Sequence, residues 1–209
     1  MSQLSTKAVE LPTAKGIVPV KLAHFVLKTS NYNAMVDWYV KVLNARIVLA
    51  KPHVSFLTFD EEHHRLAIVN APRLGLHNPN TCGMDHIAFT YNSLGELLAT
   101  YKRLARERIY PRWPFNHGNT ISLYYQDPDG NRVELQVDIF PTARELQEYF
   151  ENDPHYATNP LGAPIDPERM IAQFEAGVPF SELVKVPPFA EGVTPMAILD
   201  DMGLGQKDV

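Results

Sequence analysis

Residues 120–137 read TISLYYQDPDGNRVELQV and predict a β-hairpin with a carboxylate on its second strand. The tetrapeptide DPDG at 127–130 is a strong turn signal, because proline fixes φ and glycine accepts a positive φ. Glu134 lies between Val133 and Leu135 in the strand that follows. A carboxylate inside an apolar strand is costly unless it is paired or bound to a metal. Alternation along the strand puts Glu134 opposite its apolar neighbours, where we expect a cavity.

The hairpin completes a unit of one strand, one helix and three further strands. The unit begins with a predicted strand at Gly83–Tyr91, which has His86 near its middle. The helix is predicted from an apolar stripe at helical spacing, formed by Leu94, Leu97, Leu98, Tyr101 and Leu104. The three later strands are predicted at Ile109–Trp113, Thr120–Gln126 and Arg132–Val137.

The same order of elements occurs earlier in the chain. A predicted strand at 20–28 carries His24, which lies 62 residues before His86. A helical stripe follows at Met35, Trp38, Tyr39 and Val42, and then strands at Ala45–Ala50, Val54–Phe59 and His64–Val69. Such an internal repeat indicates two copies of one supersecondary unit that bury their sheets together.

The repeat predicts an α+β fold in which two βαβββ modules form an open mixed-sheet barrel around a metal site. The modules are assigned to 20–70 and 82–138 within one domain at 20–140. Residues 1–19 are assigned to an N-terminal extension. Residues 141–209 are proline-rich and partly helical, and we expect this C-terminal extension to pack on the barrel or on a partner subunit.

Composition narrows the class of partner. The net charge of −5 argues against nucleic acid and anionic membranes, which both require clustered Lys and Arg. The single cysteine, Cys82, cannot form an internal disulfide and is expected to be a buried residue at a strand start. The first 19 residues lack the apolar run of a secretory signal, so a cytoplasmic protein is expected.

His24, His86 and Glu134 together predict a metal centre. A lone histidine on a strand is more often a core or surface residue than a ligand. Here the two histidines occupy equivalent places in the repeat, and the carboxylate ends the second copy. Two imidazoles and one carboxylate on one face of a metal leave positions open for substrate and O2, the arrangement typical of non-haem Fe(II) oxygenases.

The motifs resemble the vicinal oxygen chelate superfamily, and within it most closely the type I extradiol ring-cleaving dioxygenases, in a short form with one pair of modules. Members act on catechols and 2,3-dihydroxybiphenyls. The resemblance is carried by the segments Ala23–Val26, Glu62–Ile68, Asp85–Phe89, Asn116–Gly118 and Tyr124–Leu135.

The resemblance implies a function and a set of site residues. His24, His86 and Glu134 would bind Fe(II), with Mn(II) as the alternative metal, and O2 would be the co-substrate. The substrate would be an aromatic diol such as catechol or a 2,3-dihydroxybiphenyl, whose ring is opened beside the diol. No organic cofactor is implied, and a homo-oligomer is expected.

Three catalytic residues follow from the same resemblance. His64 would lie beside bound O2 and move protons, with the adjacent His63 turned away. Tyr124 would donate a hydrogen bond to the substrate oxygen, and its neighbour Tyr125 would serve packing. His117 would hold or deprotonate that end of the substrate.

Two other functions use the same fold. A glyoxalase-like isomerase or transferase would use similar ligands on a Lewis-acid metal. A phosphonate-processing transferase would need cations at the cavity, whereas Arg65 and Arg132 are expected to face outward. A metal-free antibiotic-binding module would not need the three ligands.

Overall fold

The computed structural model describes residues 15–75, 77–78, 81–189, 192 and 194–204. Most of the predicted N-terminal extension, part of the linker between the modules and the last five residues lie outside this range. None of the helices within it is long and apolar enough to span a membrane.

The first module contains a four-stranded sheet, here called sheet 1, with the strand order β1-β4-β3-β2. Strands β1 and β4 are parallel, and the other neighbouring pairs are antiparallel. Helix α1 connects β1 to β2 across the sheet. The elements are β1 (Phe25–Thr29), α1 (Tyr32–Leu43), β2 (Arg46–Lys51), β3 (Val54–Thr58) and β4 (Leu66–Asn70).

The second module repeats this arrangement in a five-stranded sheet, here called sheet 2. Its order is β5-β8-β7-β6-β9, so a strand from the C-terminal extension is added at one edge. The elements are β5 (His86–Thr90), α2 (Leu94–Arg106), β6 (Trp113–Asn116), β7 (Thr120–Gln126), β8 (Arg132–Asp138) and β9 (Ala163–Pro164). The predicted α+β fold of two βαβββ modules is confirmed, although the two sheets do not close into one barrel.

Local sequence explains where both module helices begin or end. Ser93 accepts a hydrogen bond from the Glu96 N–H, and the Glu96 carboxylate accepts one from the Asn92 N–H, a capping box that starts α2. Helix α1 ends at Asn44, which adopts a left-handed conformation with φ of 50°.

The apolar stripes of the two helices meet in one core that both modules share. Phe25 of β1 packs on Tyr39 of α1, and Phe25 also contacts Phe89 of β5. The Tyr39 hydroxyl donates to Asp127 in the β7–β8 turn, 88 positions away. Arg103 of α2 donates to main-chain carbonyls at the end of α1. The modules therefore pack through the faces that carry their helices.

Two local predictions were wrong. Ile109 belongs to the turn that ends α2, because its N–H bonds back to the Leu104 carbonyl, so β6 begins only at Trp113. Cys82 is exposed instead of buried, since it lies in an irregular segment before β5.

The C-terminal extension forms short helices as well as β9. They are α3 (Ala143–Asn152), α4 (Pro154–Thr158), α5 (Pro167–Glu175), α6 (Phe180–Leu183) and α7 (Pro195–Asp201). Met170 and Ile171 of α5 and Leu183 of α6 join the shared core, while Ile198 of α7 packs on sheet 2.

Candidate metal centre

His86 and Glu134 are side by side on sheet 2. Parallel pairing of β5 with β8 sets Ala88 opposite Glu134 and brings the two side chains to the same face. Nε2 of His86 lies 3.1 Å from Oε2 of Glu134. Val133 and Leu135 enter the core on the opposite face, as the alternation predicted. Two of the three predicted ligands are therefore adjacent and share one face.

The protonation states of His86 and Glu134 depend strongly on each other. Burial raises the pKa of the Glu134 carboxyl, but hydrogen bonds from His86 and Ser122, together with the charge of His86, outweigh burial and leave this pKa below its usual value. The hydrogen bond to Glu134 raises the pKa of His86 above its usual value. Metal binding requires a neutral imidazole, so a metal would replace the proton that these two residues share.

The second ring nitrogen of His86, Nδ1, also has a hydrogen-bond partner. Its Nδ1 lies 2.7 Å from Oδ2 of Asp85, and Arg132 donates to both oxygens of that carboxylate at 2.7 and 2.8 Å. A carboxylate behind a metal-binding histidine fixes the ring orientation and makes the ligand more basic. Asp85 was not predicted to be a site residue, although its position next to His86 was the available signal.

The prediction that Arg132 faces outward was wrong. Arg132 is two positions before Glu134 and therefore shares its face. Its side chain is about 10% exposed and lies over the Trp113 ring at 4.7 Å. It also donates to the Met202 carbonyl. Alternation from Glu134 already sets Arg132 on this face, and Asp85 and the C-terminal extension hold the side chain there.

His117 and Tyr124 form a second polar pair beside Glu134. Nδ1 of His117 lies 2.5 Å from the Leu161 carbonyl, which can only accept, so Nδ1 carries the proton. In neutral His117 the free Nε2 then accepts from the Tyr124 hydroxyl at 3.0 Å. Burial lowers the pKa of His117, which favours this neutral form. Burial and the charge of Glu134 raise the pKa of Tyr124.

The carbonyl that fixes His117 comes from the C-terminal extension. Gly162 has a φ of +81°, and a Cβ there would overlap the main chain at Asn116 and His117. Glycine therefore allows the Leu161 carbonyl to reach His117. The antiparallel pairing of β9 with β6 holds this approach in place.

Aromatic side chains lie on the same face of sheet 2 as His86 and Glu134. Trp113, Phe115 and Tyr124 are buried against Ile198 and Met202 from α7 and its end. The Trp113 indole N–H donates to Asp201 at 2.6 Å. A small apolar core and one wall of the candidate site therefore coincide at Trp113 and Phe115.

His24 and His64 lie together on sheet 1. Their ring centroids are 4.4 Å apart, and His64 stacks on Phe56, also at 4.4 Å. His24 is exposed, whereas His64 is half-buried. Nδ1 of His63 lies 2.6 Å from Nδ1 of His64, while the His63 side chain is 68% exposed.

The distances between donor atoms show whether the three predicted ligands can bind one metal ion within a single chain. Metal–nitrogen and metal–oxygen bonds of about 2 Å require the donor atoms to lie about 3 Å apart. His86 and Glu134 meet this requirement, whereas the ring contact of His24 is with His64. Within the described part of the chain, no three His, Cys, Asp or Glu side chains are grouped closely enough to bind a metal. Two of the three predicted ligands therefore lie on sheet 2 and the third lies on sheet 1.

Fold and sequence define the class of protein. The sequence model of the Glyoxalase/Bleomycin resistance protein/Dioxygenase superfamily matches residues 21–135, and the chain belongs to this superfamily. The match spans both modules from Lys21 to Leu135.

Two relatives are similar in sequence to this chain over most of its length. Biphenyl-2,3-diol 1,2-dioxygenase 2 of Rhodococcus globerulus is 48% identical over 164 residues, which cover 78% of this chain and 86% of that protein. Biphenyl-2,3-diol 1,2-dioxygenase 3 of the same organism is 46% identical over 168 residues, which cover 79% and 88%. A glyoxalase/dioxygenase from Nostoc punctiforme shares the fold, with a TM-score of 0.50, 18% identity and coverage of 63% and 99%.

Proposed function

We propose that this protein is an extradiol dioxygenase, which opens the ring of a catechol-type diol and inserts both atoms of O2. Identity of 48% with a biphenyl-2,3-diol 1,2-dioxygenase over most of both chains is the observation that carries the proposal. The side chains of His117 and Tyr124 beside Glu134 support it, because an isomerase has no evident need for this pair.

We assign the metal ligands to His24, His86 and Glu134. One carboxylate and two imidazoles suit Fe(II), and the same set binds Mn(II). The chemistry that Fe(II) would supply here is electron transfer between the bound diol and O2.

Proton transfer is assigned to Tyr124 and His117. A diol oxygen near Glu134 would lie within reach of the Tyr124 hydroxyl, whose own hydrogen points to Nε2 of His117. When the diol gives up a proton to the Tyr124 oxygen, the tyrosine hydrogen passes to Nε2. His117 then holds the positive charge, which the nearby Glu134 carboxylate stabilises.

His64 is assigned the O2 side of the site. Burial is the main cause of its lowered pKa, and the neighbouring histidines lower it further, so the ring is neutral near pH 7. A neutral imidazole can accept or donate a proton as O2 reacts. The apolar Phe56 ring holds it in place by stacking.

The proposal also covers substrate binding, the oligomeric state and the cellular location. Trp113 and Phe115 would take the ring of an aromatic diol, by stacking or edge contact. A homo-oligomer is proposed because, among the residues that the structure describes, one chain does not bring three metal-binding side chains together. A cytoplasmic location stays a prediction from the sequence.

The test is purification without air, metal analysis, and addition of 2,3-dihydroxybiphenyl and catechol in air. We expect bound iron and a yellow ring-opened product, and a Tyr124→Phe variant that keeps iron but turns over more slowly. Protein reconstituted with Fe(II) that yields no coloured product from either diol would contradict ring cleavage. If Zn(II) or Ni(II) then supported isomerase activity, the glyoxalase-like function would replace it.

A further inference from the structure

The imidazole ring of His117 is fixed on three sides. Its Nδ1 lies 2.5 Å from the Leu161 carbonyl oxygen, and its Nε2 lies 3.0 Å from the Tyr124 hydroxyl. The ring also stacks on Phe115, with centroids 5.3 Å apart and an angle of 9° between the planes. A half-turn of the ring would put carbon atoms where both nitrogens now have partners. Each nitrogen of His117 therefore has its own constant neighbour.

The Leu161 carbonyl reaches His117 because the C-terminal extension packs against β6 at this point. Strand β9 pairs with β6 in an antiparallel ladder, in which Asn116 lies opposite the fully buried Ala163. Directly before this ladder, Gly162 has a φ of +81°, and a Cβ there would overlap the main chain at Asn116 and His117. The approach is thus a close contact between two main chains, and only glycine permits it.

The residues on both sides of His117 are fastened by the same extension. The side-chain amide of the buried Asn116 donates to the Val184 carbonyl at 2.9 Å, and its Oδ1 accepts from the Gly118 N–H at 2.8 Å. A Cβ at Gly118 would overlap the hydroxyl of Tyr149 in α3. The main chain around His117 is therefore placed by groups that lie more than 30 positions further along the chain.

The partner of Nδ1 decides which form of the neutral ring is present. A neutral imidazole carries one N–H, on either Nδ1 or Nε2, and the hydrogen bond at one nitrogen sets the state of the other. The Leu161 carbonyl can only accept, so the Nδ1–H form satisfies it and leaves the Nε2 lone pair for the Tyr124 hydroxyl. In the Nε2–H form, two lone pairs would face each other at Leu161.

We propose that residues 161–164 position His117 for proton transfer by selecting its Nδ1–H form. Nε2 is then the atom that takes the proton from the Tyr124 hydroxyl. The O–H bond of Tyr124 breaks as a new N–H bond forms at Nε2, and the positive charge is held on His117. The proton also returns through Nε2, because a carbonyl oxygen does not take the proton from Nδ1.

Leu161 acts through His117 and is therefore a positioning residue. The catalytic consequence rests on the proposed function and deepens it, whereas the choice between the two ring forms is a property of the protein alone. Sheet 2 carries His117, but the C-terminal extension determines which of its nitrogens can accept a proton.

Nuclear magnetic resonance shows directly which ring nitrogen carries the proton. Metal-free protein with 15N-labelled histidine is measured at pH 8, where long-range 1H–15N correlations separate a protonated ring nitrogen from an unprotonated one. The chain has eight histidines, and the signals of His117 are those that are lost in His117→Asn. We expect the proton of His117 on Nδ1. A wild-type His117 that is protonated on Nε2 instead would overturn the proposal.

An ester bond in place of one peptide bond tests the Leu161 carbonyl without changing any side chain. An ester between Leu161 and residue 162 makes this carbonyl a weaker acceptor, and it removes the Gly162 N–H, which bonds to the Asn159 carbonyl at 3.3 Å. The shape of the chain is preserved, so folding is expected to be preserved as well. We expect an Nε2–H form of His117 to appear in this protein.

The control is an ester between Ala176 and residue 177, in the turn after α5. It removes a similar turn bond, from the Gly177 N–H to the Phe174 carbonyl at 3.0 Å, and leaves residues 161–164 as they are. His117 should keep its Nδ1–H form in this control. No change of form in the ester at residue 162, or an equal change in both esters, would overturn the proposal.

Two glycine variants then connect the ring form with turnover. Gly162→Ala pushes the extension away from His117, whereas Gly177→Ala has the same strain, with φ of +77°, and no neighbouring atom within 4 Å. With Fe(II) and 2,3-dihydroxybiphenyl, we expect kcat to fall by about 10-fold in Gly162→Ala and in the ester at residue 162, the scale of one hydrogen bond. KM should change little, because diol binding does not require this bond.

The two measurements separate this inference from the proposed function. If His117 changes form as expected but no variant and no wild-type protein opens the ring of a diol, only the proposed function is contradicted. If kcat falls equally in Gly162→Ala and Gly177→Ala, the positioning role of residues 161–164 is overturned.

Discussion

At the scale of single residues, His86 is positioned by groups on both of its nitrogens. Glu134 faces Nε2, and Asp85 faces Nδ1 while it is itself clamped by Arg132. A ligand held in this way has little rotational freedom left to lose when a metal binds. Asp85 is therefore a positioning residue for the proposed centre.

Asp85→Asn should weaken metal binding by about 10- to 100-fold, the usual cost of losing a carboxylate behind a histidine ligand. Titration of metal-free protein with Co(II), followed by its absorption, measures the affinity. Asp138→Asn, an exposed aspartate on the same sheet, is the matched control. Equal affinity of the two variants would remove Asp85 from this role.

His64→Phe should keep metal and substrate binding but slow turnover by about 10²-fold, the typical loss when a general acid–base is removed. Phenylalanine preserves the stacking on Phe56, so the fold is expected to tolerate the change. His63→Phe is the comparison, because the His63 side chain is largely exposed. Unchanged turnover in His64→Phe would show that the proton route does not include it.

The lowered pKa of His117 predicts a pH dependence of stability. The unfolded chain takes up a proton near pH 6.5, whereas the folded chain does so only at lower pH. The contribution of His117 to stability is therefore complete above about pH 6.5 and decreases as the pH falls below it. Urea unfolding of the metal-free protein measures the free energy of unfolding at pH 8 and at pH 5.5. This free energy should decrease less between the two pH values in His117→Asn than in the wild type. Equal losses would contradict this.

At the scale of elements, the C-terminal extension completes sheet 2. Strand β9 extends the sheet at β6, and α7 covers the aromatic residues on the face of sheet 2 that carries Glu134. The buried Trp113 indole N–H finds its acceptor in Asp201, 88 positions further along the chain. The extension therefore contributes both to stability and to the surroundings of the proposed site.

Asp201→Ala should destabilise the protein by about 1–3 kcal/mol, because it leaves the buried Trp113 N–H without its acceptor. Urea unfolding followed by tryptophan fluorescence measures the change. Asp200→Ala is the matched control, since Asp200 is exposed and adjacent. If the loss of stability is no larger than in the control, the Trp113–Asp201 hydrogen bond makes no net contribution to the free energy of unfolding.

Sequence periodicity predicted the elements whose partners are local. The repeat, both module helices and the Glu134 hairpin follow from spacing and turn chemistry alone. Strand β9 was not predicted, because two residues show no alternation and exist as a strand only through pairing with β6. The predicted outward orientation of Arg132 was wrong for a different reason, since alternation already sets it on the same face as Glu134; its partners Asp85 and Met202 lie in distant parts of the chain. The candidate ligands and their division between the two modules follow from the repeat. The separation of His24 from His86 and Glu134 within the described part of one chain was not predicted, because it depends on how the modules pack.

At the scale of the whole molecule, the modules are joined back to back through one core. Tyr39 bonds to Asp127, and Arg103 bonds to the end of α1, so each module fixes the other. This shared core leaves the opposite face of each sheet, which carries His24 in sheet 1 and Glu134 in sheet 2, directed away from the helices. A molecule built in this way can bring its ligands together by pairing with a second copy, without unfolding the core.

Metal binding and dimer formation should therefore be linked. If one ion joins ligands from two chains, it binds the dimer and not the monomer, and mass action then stabilises the dimer. Removal of the metal with a chelator should raise the dissociation constant of the dimer by at least about 10-fold, which corresponds to about 1.4 kcal/mol. Sedimentation velocity over a dilution series, with and without Fe(II) and in the absence of air, measures this. Asp85→Asn should shift the equilibrium in the same direction as the chelator, but by less, because it weakens the metal site without removing a ligand. A dissociation constant that is the same with and without metal would mean that the ion does not join the two chains.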